Sequence, residues 1–370
     1  MSGADIALAP AQGADSAGPT DRRARRRGAL LILLAVAAIA AALGAFTVGA
    51  YPIPEDQVLG ALARAVGIPL DPTAAEAAQR DLVLIEIRAP RILFGLLVGA
   101  ALGVSGAALQ ALFRNPLADP GLVGVSTGAA LGAVSMIVFA GALTPLFGAW
   151  SNAATPIAAF IGAATVTVLI FAVGRRNGGV DVALMLLAGV AINAIAAAGI
   201  GAMTYLADDQ ALRSLTFWTM GSLAVSGWGA LGATAAMILP AALWLIRQGG
   251  ALNRYLLGEA EAGHLGVDVR RLKVGVVIAV ALSVGAAVSV AGAIGFVGLV
   301  TPHLVRLIAG PDNRCVLPGA ALLGAVLTVT ADAFARGVAA PAEIPVGLVL
   351  SAVGGPFFLW LLLTRRWRGR

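Results

Sequence analysis

Apolar residues in this chain neither alternate with polar ones nor recur once per helical turn. They run in about ten continuous blocks of roughly 20 residues, the length that crosses the hydrocarbon core of a bilayer. The blocks lie at 28–50, 91–111, 121–141, 154–173, 182–206, 229–247, 274–293, 294–310, 316–335 and 345–364. Lipid offers no hydrogen-bond partner to an open backbone, so runs of this kind predict helices. A barrel would show short alternating strands instead. The pattern therefore predicts an all-α polytopic membrane protein of about ten transmembrane helices. Glycines four residues apart, Gly95–Gly99–Gly103 and Gly128–Gly132, predict helices that pack closely. The eighth block is the weakest. Gly292, Gly295 and Gly298 lead into it, and Pro302, His303 and Arg306 interrupt it, which predicts a short or broken helix with Arg306 near the cytoplasm.

Charge adds an orientation. The flanks 1–27, 112–120, 174–181, 247–273, 303–315 and 365–370 carry 19 of the 25 basic residues and 9 of the 19 acids. The alternate flanks carry 6 basic and 10 acidic residues. Positive loops stay inside, so both termini are predicted to be cytoplasmic in a bacterial inner membrane. Hydrophobic residues make up 59% of the 370 positions and charged ones 12%, which overrides the two or three domains that the length alone would suggest. The expected organisation is a disordered basic tail over 1–27, one ten-helix membrane domain over 28–365, and a tail over 366–370. The run from Gly28 to Ala50 is too long for a signal-peptide core of about 7–15 residues, and we read it as the first span. The pI near 10.6 comes from loop anchors such as Arg22, Arg23, Arg25, Arg26 and Arg27. They meet membrane lipid and form no stripe suited to nucleic acid.

Missing chemistry narrows the function. Cys315 is the single cysteine, and His264 and His303 are the two histidines, so no thiolate or His-rich metal site is expected. A phosphate-binding G-x-x-x-x-G-K-[ST] loop needs its lysine after glycine. The chain's single lysine, Lys273, follows Leu272, so the chain is not an ATPase. An ion-coupled carrier needs acids or histidines in mid-helix. Asp332 comes nearest, and it can pair with Arg336 one turn on. A membrane enzyme would need a clustered catalytic constellation, and the spans offer none. These gaps favour a passive pore subunit driven by a separate engine. The loop 248–273 is long, helical in pattern and amphipathic. It has Leu256, Leu257, Ala260, His264 and Leu265 on one side and Glu259 and Glu261 elsewhere, which suits a cytoplasmic docking elbow. Arg270, Arg271 and Lys273 are expected to hold its end at the headgroups. Two further loops, 51–90 with an amphipathic stretch near Pro54–Val66 and 206–228 with room for a short helix carrying Trp218, are expected on the outer side.

Several motifs occur in order. Arg88-Ala89-Pro90-Arg91 precedes Gly99-Ala100-Ala101-Leu102-Gly103-Val104-Ser105-Gly106 and Asn115-Pro116-Leu117-Ala118-Asp119-Pro120-Gly121. Later come Gly258-Glu259-Ala260, Leu265-Gly266-Val267, Gly295-Phe296-Val297-Gly298-Leu299 with Pro302-His303, and Glu343-Ile344-Pro345-Val346-Gly347. Over about residues 30–365 the chain resembles the permease subunits of binding-protein-dependent ABC importers for ferric siderophores, haem and cobalamin. The resemblance implies a homodimer, two cytoplasmic ATPase subunits that carry the ATP and Mg, and a periplasmic substrate-binding protein. It implies no cofactor bound by this chain and no catalytic or metal site.

The resemblance also implies roles for single residues. Arg88, Arg91 and Arg336 would meet acids of the binding protein. Asn115 and Leu117 would form a cytoplasmic gate, with Val182 and Ala183 at a second level where relatives can carry hydroxyl residues. Glu259, Glu261, Leu265 and Gly266 would belong to the element that couples to the ATPase. The stretch Glu259–Val267 looks most like haem permeases, which favours haem over a ferric siderophore, with cobalamin third.

Overall fold

The computed structural model describes residues 19–49, 51, 53–54, 58, 60–61, 63–64, 75–176, 179–224 and 227–368. Residues 1–18 and 369–370 of the predicted tails lie outside it, as does most of the stretch Pro54–Val66. Ten principal helices make up the bundle: α1 Pro19–Thr47, α2 Ala89–Leu112, α3 Val125–Val138, α4 Ala154–Gly174, α5 Val182–Leu206, α6 Trp228–Arg247, α7 Val269–Ala291, α8 Val297–Ala309, α9 Asn313–Val338 and α10 Val346–Arg368. Among the described residues seven helices are long and apolar enough to cross a membrane, α3 and α8 are shorter apolar helices, and α10 is apolar over Val346–Trp360. Each of the ten predicted blocks thus holds one helix. α1 starts at Pro19, inside the predicted N-terminal tail.

Aspartates set several helix starts. Asp181, Asp208, Asp268 and Asp312 accept amide hydrogens in the first turns of α5, the helix Asp209–Met220, α7 and α9. Each satisfies donors that a helix cannot pair internally. The eighth block is broken as expected. α7 stops at Gly292 (φ 70°), the chain runs non-helically to Phe296 (φ 66°), and α8 has only 13 residues. Arg306, one turn from its end, donates to Gln110 of α2.

Burial separates inner from outer helices. The most apolar windows of the α2, α7 and α9 spans are 78, 67 and 61% buried within this chain, those of α1 and α5 only 22%. The glycines explain the tight centre. A Cβ on Gly99 would lie 2.2 Å from the carbonyl oxygen of Gly324, and one on Gly103 2.1 Å from that of Ala320. The backbones of α2 and α9 therefore touch directly. Gly106 meets Gly298 of α8 in the same way, and Gly128 and Gly132 of α3 meet Gly162 and Ala158 of α4.

α2 does not begin at its proline. A helix Ala75–Leu82 and a π-helical turn Val83–Arg88 run straight into it. Above it a small second core, with Phe46, Ile53, Val58, Leu84 and Ile92, joins the end of α1 to the 51–90 segment.

At the arginine-rich face Asp312 ties three elements together. It accepts from Arg27 of α1 at 2.6 Å, from Asn253 of the elbow at 2.6 Å and from the Arg314 amide at 3.0 Å. Burial pushes its carboxyl up, but those hydrogen bonds and the charges of Arg27 and Arg314 outweigh it and hold the carboxyl below its ordinary 3.8. Its stabilising contribution is therefore complete above that value and is lost as pH falls through the lowered one. Asp312→Ala removes a cap and a half-exposed ion pair, and we expect a loss of about 1–2 kcal/mol at neutral pH, read as a lower unfolding temperature in detergent. An unchanged temperature would show that Arg27 and the α9 amides find water instead.

Candidate functional site

The three arginines expected at the outer face come together, but they face inward. Arg88, Arg91 and Arg336 are all buried. The π-helical turn aims Arg88 at the carbonyls of Phe46 and Tyr51. Arg91 bonds Asp332 at 2.8 Å and Glu343 at 2.9 Å. Arg336 bonds the other Asp332 oxygen at 3.0 Å and the carbonyl of Val48 at 2.7 Å. Asp332 thus sits between two guanidiniums, as its spacing to Arg336 suggested. Its partnership with Arg91, 241 residues away, leaves no local trace in the sequence. Glu343 is the rim of the cluster, with its side chain 44% exposed.

At the opposite face, the loop after α2 is built by a strained residue. Arg114 holds φ 49°, a left-handed conformation that glycine usually supplies. It lets the Asn115 amide reach back to the carbonyl of Gln110 at 3.1 Å. The Asn115 side chain accepts from the Leu117 amide at 2.9 Å, an Asx turn, and Leu117 stands exposed. α5 is fastened to the short turn Pro120–Val123 just beyond this loop. Asn193 donates to the Gly121 carbonyl at 3.0 Å, and Gly189 abuts the carbonyl of Leu122.

The second predicted gate level comes after a two-residue antiparallel pairing, Arg175–Arg176 with Gly179–Val180. Asp181 then caps α5 through the amides of Ala183 (3.0 Å) and Leu184 (3.1 Å). Val182 is half-buried and Ala183 exposed.

The elbow is two short helices, Gly249–Tyr255 and Glu259–His264, joined at Gly258 (φ 138°) and closed by Gly266 (φ 79°). Leu256, Leu257 and Leu265 are exposed, as are Glu259, Glu261 and His264, while Ala262 is buried. This leaves an apolar and acidic surface pointing away from the bundle. Lys273 corrects one expectation. It does not reach the headgroups; it is buried, 2.6 Å from Glu259 and 2.8 Å from the Val180 carbonyl. Tyr255 lies beside it. Burial, then the charge of Glu259, pushes its phenol up to about 12.

One further space went unnoticed in the sequence. A cavity of about 740 Å³ opens beside the helix Asp209–Met220, with Thr144, Ser151, Asp208, Ser214, Phe217 and Trp218 in its lining. These residues lie far apart in the chain and share no motif.

Its glycine-packed helices, seven of them among the described residues long and apolar enough to cross a bilayer, make the chain a polytopic membrane bundle. A sequence profile described as the FecCD transport family matches residues 29–364. The chain belongs to that family and is a multi-pass inner-membrane permease of the ABC importer class. It is 48% identical over 284 residues to the hemin transport system permease protein HmuU of Yersinia pestis, covering 77% of this chain and 84% of that one. It is 40% identical over 294 residues to the vitamin B12 import system permease protein BtuC of Vibrio cholerae, covering 80% and 86%. A solved structure described as an inward-facing conformation of an ABC transporter of metal-chelate type superposes with a TM-score of 0.77 at 29% identity. It covers 91% of this chain and 99% of that one.

Proposed function

We propose that this permease carries haem. The observation behind this reading is the 48% identity to a hemin permease, against 40% to a vitamin B12 permease over a similar length. A ferric siderophore is the runner-up cargo and cobalamin the third. In this reading two copies of the chain form the path, and the arginine-rich face with both termini is cytoplasmic. Two ATPase subunits supply ATP and Mg, and a periplasmic binding protein delivers cargo. No cofactor resides in the chain.

The elbow supports the coupling role of Glu259, Glu261, Leu265 and Gly266, because its exposed apolar and acidic surface offers a partner both area and charge. The turn at Asn115 and Leu117 and the capped start of α5 at Val182 and Ala183 are the proposed gate. Arg88, Arg91 and Arg336 are the proposed docking cations, with one restriction imposed by their burial. A partner carboxylate reaches Arg91 by exchange with the exposed Glu343 rather than by meeting a free guanidinium.

The test is ATP-driven uptake by proteoliposomes that hold this chain, its ATPase and its binding protein. Haem is expected to accumulate inside, with ferric siderophore and cobalamin at background. Accumulation of either of those in place of haem would overturn the cargo. Uptake of none, with ATPase activity indifferent to the loaded binding protein, would overturn the importer mechanism as assembled.

A further inference from the structure

The elbow, the loop after α2 and the strand pair before α5 share one small cluster of side chains. Tyr255 ends the first elbow helix and is buried. Its carbonyl accepts from Arg114 at 2.7 Å, and the Arg114 guanidinium lies 4.7 Å from the centroid of its ring. Its hydroxyl donates to Glu259, the first residue of the second elbow helix, at 3.3 Å. The same carboxylate oxygen takes Lys273 at 2.6 Å. The Lys273 ammonium in turn donates to the Val180 carbonyl at 2.8 Å and lies 5.9 Å from the Tyr255 ring. One aromatic ring and one ammonium therefore join four chain segments: the elbow, the loop after α2, the strand pair and the first turns of α7.

We propose that Lys273 is a positioning residue. Held against Tyr255 and Glu259, it makes the elbow and the two loops of the proposed gate move as one body. This inference rests on the importer reading above.

The chemistry favours a rigid link over a sliding one. The side chain of Lys273 is 6% exposed, so its contacts face little competition from water, and a buried ammonium is costly to leave unpaired. Lateral displacement of Glu259 must drag the ammonium, break its contact or move Val180. Val180 stands two residues before Val182, so its motion turns the start of α5. The second arm runs through Tyr255 to Arg114, the residue next to Asn115. Arg114 keeps its left-handed backbone while its side chain is anchored on Tyr255, and strain of that kind persists only where the surroundings impose it. A push on the exposed face Glu259–His264 therefore arrives at both gate levels together. A solvated loop helix would not need its acid seated on a buried lysine.

The decisive experiment uses the complete complex in proteoliposomes, with spin labels at the exposed positions Ala260 and Ala183 in a Cys315→Ser background. Trapping with ATP is expected to move both labels in the wild type while their mutual distance keeps its resting distribution. In Lys273→Met the label at Ala183 lags, so that distance changes on trapping. Cargo delivered per ATP hydrolysed then falls at least about fivefold, the low end of ordinary coupling between sites. Lys273→Arg restores both, because a guanidinium still donates to Val180 and Glu259. A Lys273→Met complex with wild-type distances and a wild-type coupling ratio overturns the proposal. If Lys273→Met does not assemble, Lys273→Gln is read in the same way. It removes the ammonium and shortens the side chain, and an unchanged ratio with unchanged distances again overturns the link. A wild-type complex in which neither label responds to ATP overturns the importer reading and this inference with it. Those two failures are therefore distinct.

Discussion

Asp332→Ala will lower the stability of this permease by about 3–5 kcal/mol, the cost of breaking a buried ion pair from one side. The carboxylate stands between Arg91 and Arg336, and all three residues are less than a tenth exposed. Without it, Arg336 loses its carboxylate partner and Arg91 keeps only the half-exposed Glu343, so two buried guanidiniums share one rim acid. Thermal unfolding in detergent, followed by size-exclusion chromatography, reads the effect directly. Asp332→Asn should fall between the two, since the amide keeps one acceptor and loses the charge. The triple replacement Arg91→Met, Asp332→Leu, Arg336→Met should recover much of the loss, because apolar groups of similar volume need no partners. It should also abolish any docking through Arg91. An Asp332→Ala protein that melts with the wild type would mean that solvent reaches the cluster and that the ion pairs are superficial.

The second large effect is steric. Gly103→Val places a Cβ 2.1 Å from the Ala320 carbonyl and 3.1 Å from the Thr301 hydroxyl. Overpacking a core costs about 1–3 kcal/mol where side chains can yield. Here the obstacle is backbone, so the cost should sit at or above the top of that range. Gly201→Val is the matched control. It lies in α5 with nothing within 4 Å of its new Cβ, and it should stay within about 0.5 kcal/mol of wild type. Equal melting of the two variants would refute direct contact between α2 and α9.

Hydropathy and spacing made the helices legible. Ten blocks predicted ten helices, and the glycines of the eighth block predicted its break. Gly99, Gly103, Gly128 and Gly132 announced close packing through spacing alone. What spacing cannot carry is the identity of a distant partner. Asp332 and Arg336 are one helical turn apart, so that pair was readable, whereas Arg91 joins them across the whole bundle. Lys273 looked like a headgroup anchor because it comes just after Arg270 and Arg271. Its burial depends on Val180 and Glu259, which approach from other elements. The candidate docking arginines were singled out through family resemblance, and the structure sets Arg91 and Arg336 on one shared carboxylate. Their inward orientation is set by the π-helical turn before α2 and by the acids of α9 and the 339–345 segment, none of which any local pattern declares.

The glycine contacts also divide the molecule mechanically. Where α2 meets α8 and α9, and where α3 meets α4, backbone lies on backbone with no layer of side chains between. Each group therefore behaves as a stiff plate, since there is nothing in the joint to compress or re-rotamerise. α7 lies between the plates. It touches α2 through the Ser105–Ser283 hydroxyl pair at 3.0 Å, and a Cβ at its Gly285 would first meet the ring of Phe160 of α4, at 3.4 Å, and the Ala163 methyl, at 3.6 Å. Hydroxyls can swap partners and rings can turn, so bending is cheapest along this seam. α7 is therefore the seam packed through side chains between two groups joined backbone to backbone, and Lys273 lies in its first turns.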